Sequence, residues 1–319
     1  MSNTNKRTSL LLNWYANPYH TPIFVAKQLG YYEEESVSLA ILQPTDPSDV
    51  TELVGRGSVD LGLKAMVHCY AARSRKYPVK SIGTLMDEPP TGLIFSKKSS
   101  ITSFNDIVGK RLGYVGEFGK VMIDDLAKRA GISKNQYETI RVGMNVANAI
   151  SKGSIDAGIG IGCFQKIELE FNHDEVGMLR IDELAGIGCC CFCSIMFIAH
   201  EQMLEKQSSL LKKFMKATQR GLSYTLENPY KAYEVFCQEY PHLDTPLYKK
   251  IFISCLPFFS RTLLNTERDW KKVGLYAEKL QIVPRNYDSN QCYTNEFVPE
   301  TPYAACKPIV QQNSTKSVA

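Results

Sequence analysis

Asp60-Leu61-Gly62-Leu63-Lys64-Ala65-Met66-Val67-His68 decides how this chain is read. Asp60 to Leu63 is a short apolar run of the kind that fills a buried strand, and Ala65 to Arg75 reads as a helix, so the chain turns from strand to helix at Lys64. The same alternation continues outward in both directions. Upstream, Ser9 to Asn13 reads as a strand and Pro22 to Leu29 as a helix closed by Gly30. Val37 to Leu42 alternates apolar and polar residues, as a half-buried strand does. Ser48 opens a helix with an N-terminal capping pattern, and Gly55 and Gly57 end it. Downstream, Val79 to Leu85 and Gly92 to Ser96 are strands.

A second block starts near Ile101. It holds a short helix at Ser103-Phe104-Asn105-Asp106, strands at Arg111 to Val115, Thr139 to Val142, Ile155 to Ile161 and Met178 to Ile181, and helices at Val121 to Ala130 and Asn145 to Lys152. Cys191 to Ala199 reads as a strand returning to the first block. After it come helices at Ser209 to Leu226, Tyr230 to Glu239 and Thr266 to Leu280, then an irregular tail beyond Tyr293. Alternating strands and helices predict an α/β protein with largely parallel sheets. Residues 1–98 and 190–319 form one lobe and residues 99–189 a second lobe inserted into it, which describes a two-lobed type II periplasmic-binding-protein fold. Ligands of such sheets bind beyond the carboxyl ends of the strands, in the crevice between lobes.

Composition narrows the class. The chain has 319 residues, 44% of them hydrophobic, and a net charge of +4. So mild a charge does not argue for nucleic acid. No run approaches the roughly 20 apolar residues that span a bilayer. Leu10-Leu11-Leu12 is too short for a signal-peptide core, so a soluble, cytoplasmic protein is expected. Ten cysteines lack the spacing of a disulfide framework, which predicts free thiols in a reducing compartment.

Four places can carry chemistry. Lys64 and His68 are four residues apart and can share a helical face. Lys64 is then an amine that loses its proton on desolvation and bonds to a carbonyl, or a snorkelling side chain beside a satisfied imidazole. Gly116-Glu117-Phe118-Gly119 is a glycine turn before a helix that can present backbone N–H groups to a phosphate, or an ordinary strand-to-helix turn. Cys189, Cys190, Cys191 and Cys193 can ligate a soft or borderline metal, or pack as small hydrophobes; on an extended segment Cys190 faces away from the other three. Trp14 and Tyr19 flank the Asn17-Pro18 turn, where an indole can stack on a flat ring or belong to the core.

In order along the chain, these segments resemble the eukaryotic-type 4-amino-5-hydroxymethyl-2-methylpyrimidine phosphate synthases of thiamine biosynthesis. The resemblance rests on Leu12-Asn13-Trp14 with Pro18-Tyr19-His20, on Pro47 to Gly55, on Gly62 to Met66 with His68, and on Asp87-Glu88-Pro89. It continues through Gly113 to Lys120, Gly143-Met144-Asn145, Cys189-Cys190-Cys191-Phe192-Cys193 and Arg268-Asp269-Trp270 to Tyr293-Thr294-Asn295-Glu296. It implies a homodimer in which Lys64 binds pyridoxal phosphate and His68 gives its imidazole atoms to the product. Gly116 to Gly119 would hold the phosphate, with Asn13 and Trp14 also at the cofactor. The cysteine motif would bear on iron, and iron and oxygen would be needed for a single turnover, with pyridoxal phosphate a substrate and not a recycled cofactor. Gly162, Val142 and Pro90 depart from the family pattern, which carries glutamate, cysteine and phenylalanine there. The tail after Cys306 is short and lacks the cysteine-rich end of longer members. The competing reading is a solute-binding protein for a pyrimidine or vitamin phosphate.

Overall fold

The fold is that of a computed structural model in which residues 7–172 and 175–300 are described. Among the described residues ten strands fall, in chain order, at Thr8–Leu11 (β1), Leu39–Leu42 (β2), Leu61–Ala65 (β3), Val79–Met86 (β4), Thr91–Ser96 (β5), Arg111–Tyr114 (β6), Glu138–Arg141 (β7), Ala157–Ile161 (β8), Val176–Arg180 (β9) and Ile195–His200 (β10). They build two five-stranded sheets, ordered β2-β1-β3-β10-β4 and β7-β6-β8-β5-β9. Each sheet with its helices is one lobe.

The sheets are mixed and not largely parallel. β1 is parallel to β2 and β3, and β6 to β7 and β8. β10 runs antiparallel to β3 and β4, and β5 antiparallel to β8 and β9. The exceptions are the two strands entered from the other lobe. A chain that leaves one sheet at the cleft must enter the next from its cleft end, opposite to strands that deliver their carboxyl ends there. Because β5 lies in the second sheet, the outward crossing falls between Met86 and Thr91, upstream of the 98/99 boundary expected from sequence. The return falls between Arg180 and Ile195.

Burial on both faces explains the unbroken apolar strands. Leu10 and Leu12 join a core with Ile23, Phe24, Phe197 and Phe214, while Leu11 joins another with Val50, Val54, Met196 and Ile198. The late helices Ser208–Glu227, Pro229–Glu239 and Glu267–Lys279 follow the expected apolar spacing. A further helix, Pro246–Cys255, was not anticipated. Its signal is the Thr245 cap, which accepts from the Tyr248 N–H, with proline in the first turn. Near residue 48, Asp46 and not Ser48 is the cap: its carboxylate accepts from the Ser48 N–H before a short turn and the helix Val50–Gly55. No helix among the described residues is long and apolar enough to cross a membrane. The irregular tail is described only to residue 300, so the expectation about its end after Cys306 lies outside the described residues.

Ser208–Glu227 packs on Thr21–Gln28 so closely that only glycine fits at 221. A Cβ there would lie 2.2 Å from the Pro22 carbonyl oxygen and 2.7 Å from Ala26 Cβ. Gly221→Ala is therefore expected to lower the unfolding free energy by roughly 1–3 kcal/mol. Chemical denaturation reads this, and an unchanged midpoint would contradict the close packing.

Candidate functional site

A cleft with about 140 Å³ of space open to water-sized molecules lies between the lobes. Much of the wall comes from the carboxyl ends of strands or the turns beyond them, while Thr91 and Ile195 stand at the amino ends of β5 and β10. β1 leads to Asn13, Trp14 and Tyr19, β3 carries Lys64 and leads to His68, and β6 leads to Gly116, Phe118 and Gly119.

Lys64 is the fourth residue of β3, only 5% exposed, and its ammonium donates to the Pro47 carbonyl. Burial pulls its pKa down to about 8, against the opposing charges of Asp46 and Asp49. His68 sits in the first turn of the helix Met66–Ser74, half-buried in the cleft wall. Desolvation, then the Lys64 and Arg75 charges, hold its imidazole well below its ordinary pKa, so the ring is neutral. Its edge meets the Phe118 ring at 5.5 Å. Lys64 and His68 therefore do not share a helical face, because one is on a strand and the other on the helix that follows. The strand-to-helix junction brings both to the cleft.

The helix expected from Val121 starts at Glu117, with Gly116 as its extended N-cap. The Gly119 N–H turns back to the Gly116 carbonyl at 2.9 Å. The Glu117 and Phe118 N–H groups have no place in the intrahelical ladder and suit an anion. The Glu117 side chain itself is exposed and outside the cleft lining. Gly116 also lets the lobes approach, since a Cβ on it would lie 2.7 Å from Ser48 Oγ of the other lobe. Beside this contact Arg141, at the end of β7, pairs with Asp46. Opposite, the buried Trp14 ring packs edge-on to Phe164 at 6.5 Å, and its indole N–H finds no acceptor among the described residues.

The cysteine segment is not extended. Cys191–Cys193 forms a tight helical turn, and β10 begins only at Ile195. The expected alternation of facing therefore fails, and the four sulfurs do not converge. The turn brings the Cys189 and Cys191 sulfurs into contact. Their sulfurs lie with a carboxylate oxygen of Asp269 inside 4.8 Å of one another, the one group with the makings of a metal site among the described residues. Cys190 turns elsewhere: its thiol donates to Asp182 Oδ1 at 3.0 Å and accepts the Thr91 N–H at 3.4 Å, and burial pushes it up to about 12. Cys193 faces the cleft, with burial raising its thiol too. Two thiolates and a carboxylate suit a soft or borderline metal.

Two of the three departures from the family pattern touch each other. The Gly162 N–H donates to the Pro90 carbonyl at 2.6 Å, and a Cβ at 162 would lie 3.2 Å from Pro90 Cβ. Val142 is partly buried and packs against the core of the second lobe. Sequence reading passed over Thr91 and Gln165, which line the cleft; Gln165 is buried, its carbonyl taken by the Ile161 N–H at 2.9 Å. Neither lies in a motif whose spacing announces it.

The model of the family described as NMT1/THI5 like matches residues 17–232. A 4-amino-5-hydroxymethyl-2-methylpyrimidine phosphate synthase of Legionella pneumophila is 61% identical over 97% of this chain and 98% of its own. One of Candida albicans is 49% identical over 92% and 88%. Among solved structures, the alkanesulfonate-binding protein SsuA of Xanthomonas axonopodis pv. citri superposes with a TM-score of 0.71 at 12% identity, covering 90% of this chain and 98% of its own. The Candida albicans CA3427 gene product, described as having the generic periplasmic binding protein fold, superposes at 0.67 and 16%, covering 91% and 96%. At those identities the two structures bear on the fold alone.

A lysine with its pKa near 8 reacts as a free amine well below the range of a surface lysine. Trapping of Lys64 by pyridoxal and borohydride should rise with pH and level off above about pH 8, where surface lysines continue to gain reactivity toward ~10.4. Peptide mass analysis across pH reads this; a Lys64 profile parallel to that of the surface lysines would refute the depressed pKa.

Proposed function

The chain belongs to the NMT1/THI5-like family of 4-amino-5-hydroxymethyl-2-methylpyrimidine phosphate synthases, and from that premise we propose that it makes this pyrimidine phosphate from pyridoxal phosphate held at Lys64 and from its own His68. The observation that carries the reading is one cleft lined by a buried lysine of lowered pKa, a neutral histidine and a glycine turn at a helix start. Pyridoxal phosphate would bring an aldehyde, a ring and a phosphate, and iron with oxygen would bring the oxidising power that no side chain has.

The chain's residues supply the rest. Lys64 is partly unprotonated near neutrality, so its nitrogen lone pair is free to bond to the aldehyde carbon. The strand end fixes that nitrogen, and the helix start holds His68 on the same cleft wall, which replaces a chance encounter with a fixed one. His68 stays uncharged and keeps the lone pair of its unprotonated ring nitrogen for bond formation. The Gly116 turn receives the phosphate through backbone N–H groups, without a bulky side chain in the way. Cys189 and Cys191 with Asp269 would hold the iron. Consumption of His68 makes the reaction a transferase-like single turnover per chain. A cytoplasmic homodimer without nucleic-acid or membrane partners completes the reading.

The test is mass analysis of the full chain after incubation with pyridoxal phosphate, iron(II) and oxygen. We expect a mass change confined to the peptide holding His68, with pyrimidine formed in no more than one equivalent per chain. Lys64→Ala should lose the visible absorbance of bound cofactor, and His68→Asn should retain it but form no pyrimidine. Pyrimidine from the His68 variant would refute the substrate role. An unaltered wild-type chain that binds a vitamin phosphate and releases it intact would favour a solute-binding protein.

A further inference from the structure

Behind the cleft, the residues after β1 form a buried polar chain whose direction can be deduced. His20 is fully buried, and its Nδ1 accepts the backbone N–H of Asn17 at 3.3 Å. A backbone N–H only donates, so Nδ1 carries no hydrogen and the neutral ring must carry it on Nε2. Burial holds the His20 pKa down at about 3, which keeps this single tautomer throughout the working pH range. Nε2 lies 3.0 Å from Asn13 Oδ1 and therefore donates to it. That orients the Asn13 amide, whose Nδ2 then donates to Tyr19 Oη at 3.2 Å.

The Tyr19 oxygen thus already accepts, and its own hydrogen must point elsewhere. Its neighbours Asn13 and Asn17 both favour the oxygen as an acceptor, and it donates to neither of them in a hydrogen bond of ordinary geometry. The ring has little freedom to search for another partner. Its backbone N–H is bound to Asn17 Oδ1 at 3.1 Å, its ring lies tilted against His20 at 4.3 Å, and it meets Phe164 edge-on at 5.7 Å. Asn13 and Tyr19 both line the cleft, and Tyr19 is 2% exposed. A buried hydroxyl hydrogen without a partner is costly, and a cleft ligand is the remaining source of an acceptor.

We propose that Tyr19 donates a hydrogen bond to an anionic oxygen of the cleft ligand, and that His20 is the positioning residue that sets this direction through Asn13. The proposal rests on the reading of that ligand as pyridoxal phosphate. It assigns to Pro18-Tyr19-His20 a task that sequence alone did not: Tyr19 touches the ligand, and His20 works two hydrogen bonds behind it.

The test titrates pyridoxal phosphate into the full chain and follows the absorbance of the bound ligand, with thermal unfolding as a control. Tyr19→Phe should weaken binding roughly tenfold to a hundredfold, the usual loss for a hydrogen bond to a charged group. His20→Leu should weaken it comparably, and the double variant by no more than either alone. His20→Gln can accept from Asn17 and donate to Asn13, so it should restore most of the affinity. Tyr19→Phe binding as the wild type does would overturn the proposal, as would additive losses or failure of His20→Gln to rescue in a chain of unchanged melting temperature. Absence of binding by the wild type would overturn the cofactor reading itself, and the proposal with it. A wild type that binds while Tyr19→Phe is unaffected overturns the donor role alone.

Discussion

A primary amine buried at the end of a strand is the constraint on which the site depends. Lys64 lies where β3 ends, its ammonium on the neutral carbonyl of Pro47. Two carboxylates are close enough to raise its pKa, and burial still outweighs them. Part of the reason is visible in Asp46, whose oxygens are engaged by Arg141 and by the Ser48 N–H. An amine whose nearest anion is already committed gains little from staying charged. Desolvation decides its state, and the lone pair becomes available. His68 feels the same environment with the same sign, since burial and the Lys64 charge both disfavour a second cation.

The fold supplies this environment through its two crossings. The outward segment before β5 and the return segment before β10 meet beside the cleft. The Glu88 N–H donates to Ser194 Oγ at 2.9 Å, and the Met66 N–H to the Ser194 carbonyl at 2.9 Å. One residue just past the cysteine turn thus holds both the outgoing crossing and the start of the His68 helix. On the cleft's flanks the lobes are tied by Arg141 to Asp46 and by the Tyr15 hydroxyl to Glu168 at 3.1 Å. Burial lifts Glu168 to about 7, so this second tie includes a carboxyl that gains its proton near neutrality.

Local patterns made the α/β class, the two blocks and the place of Lys64 at a strand end legible in the sequence. Where a side chain goes next was less so, because that depends on contacts distant in sequence. The i, i+4 spacing of Lys64 and His68 suggested a shared helical face, but strand pairing with β10 extends β3 through Ala65. The cysteine run looked extended by composition, yet Cys190 finds Asp182 and Thr91 and the chain coils to reach them. Strand β5 looked like first-lobe sequence, since nothing in Thr91 to Ser96 says which sheet will pair with it. The relay from His20 to Tyr19 was invisible for another reason: a tautomer is set by a backbone donor three residues away, which no residue pattern records.

The placement of the four sulfurs limits what the cysteine motif can do. Cys189 and Cys191 are the sulfurs that lie with Asp269, so this pair would serve as metal ligands, which a metal takes as thiolates. Cys190 is no substitute: its thiol is held protonated, hydrogen-bonded to a carboxylate that Arg180 anchors at 2.7 Å. Cys193 points to the cleft, away from the trio. The adjacent cysteines are therefore not interchangeable donors. Two lie together beside a carboxylate, one locks the crossing to the second lobe, and one is left at the wall where the ligand would lie.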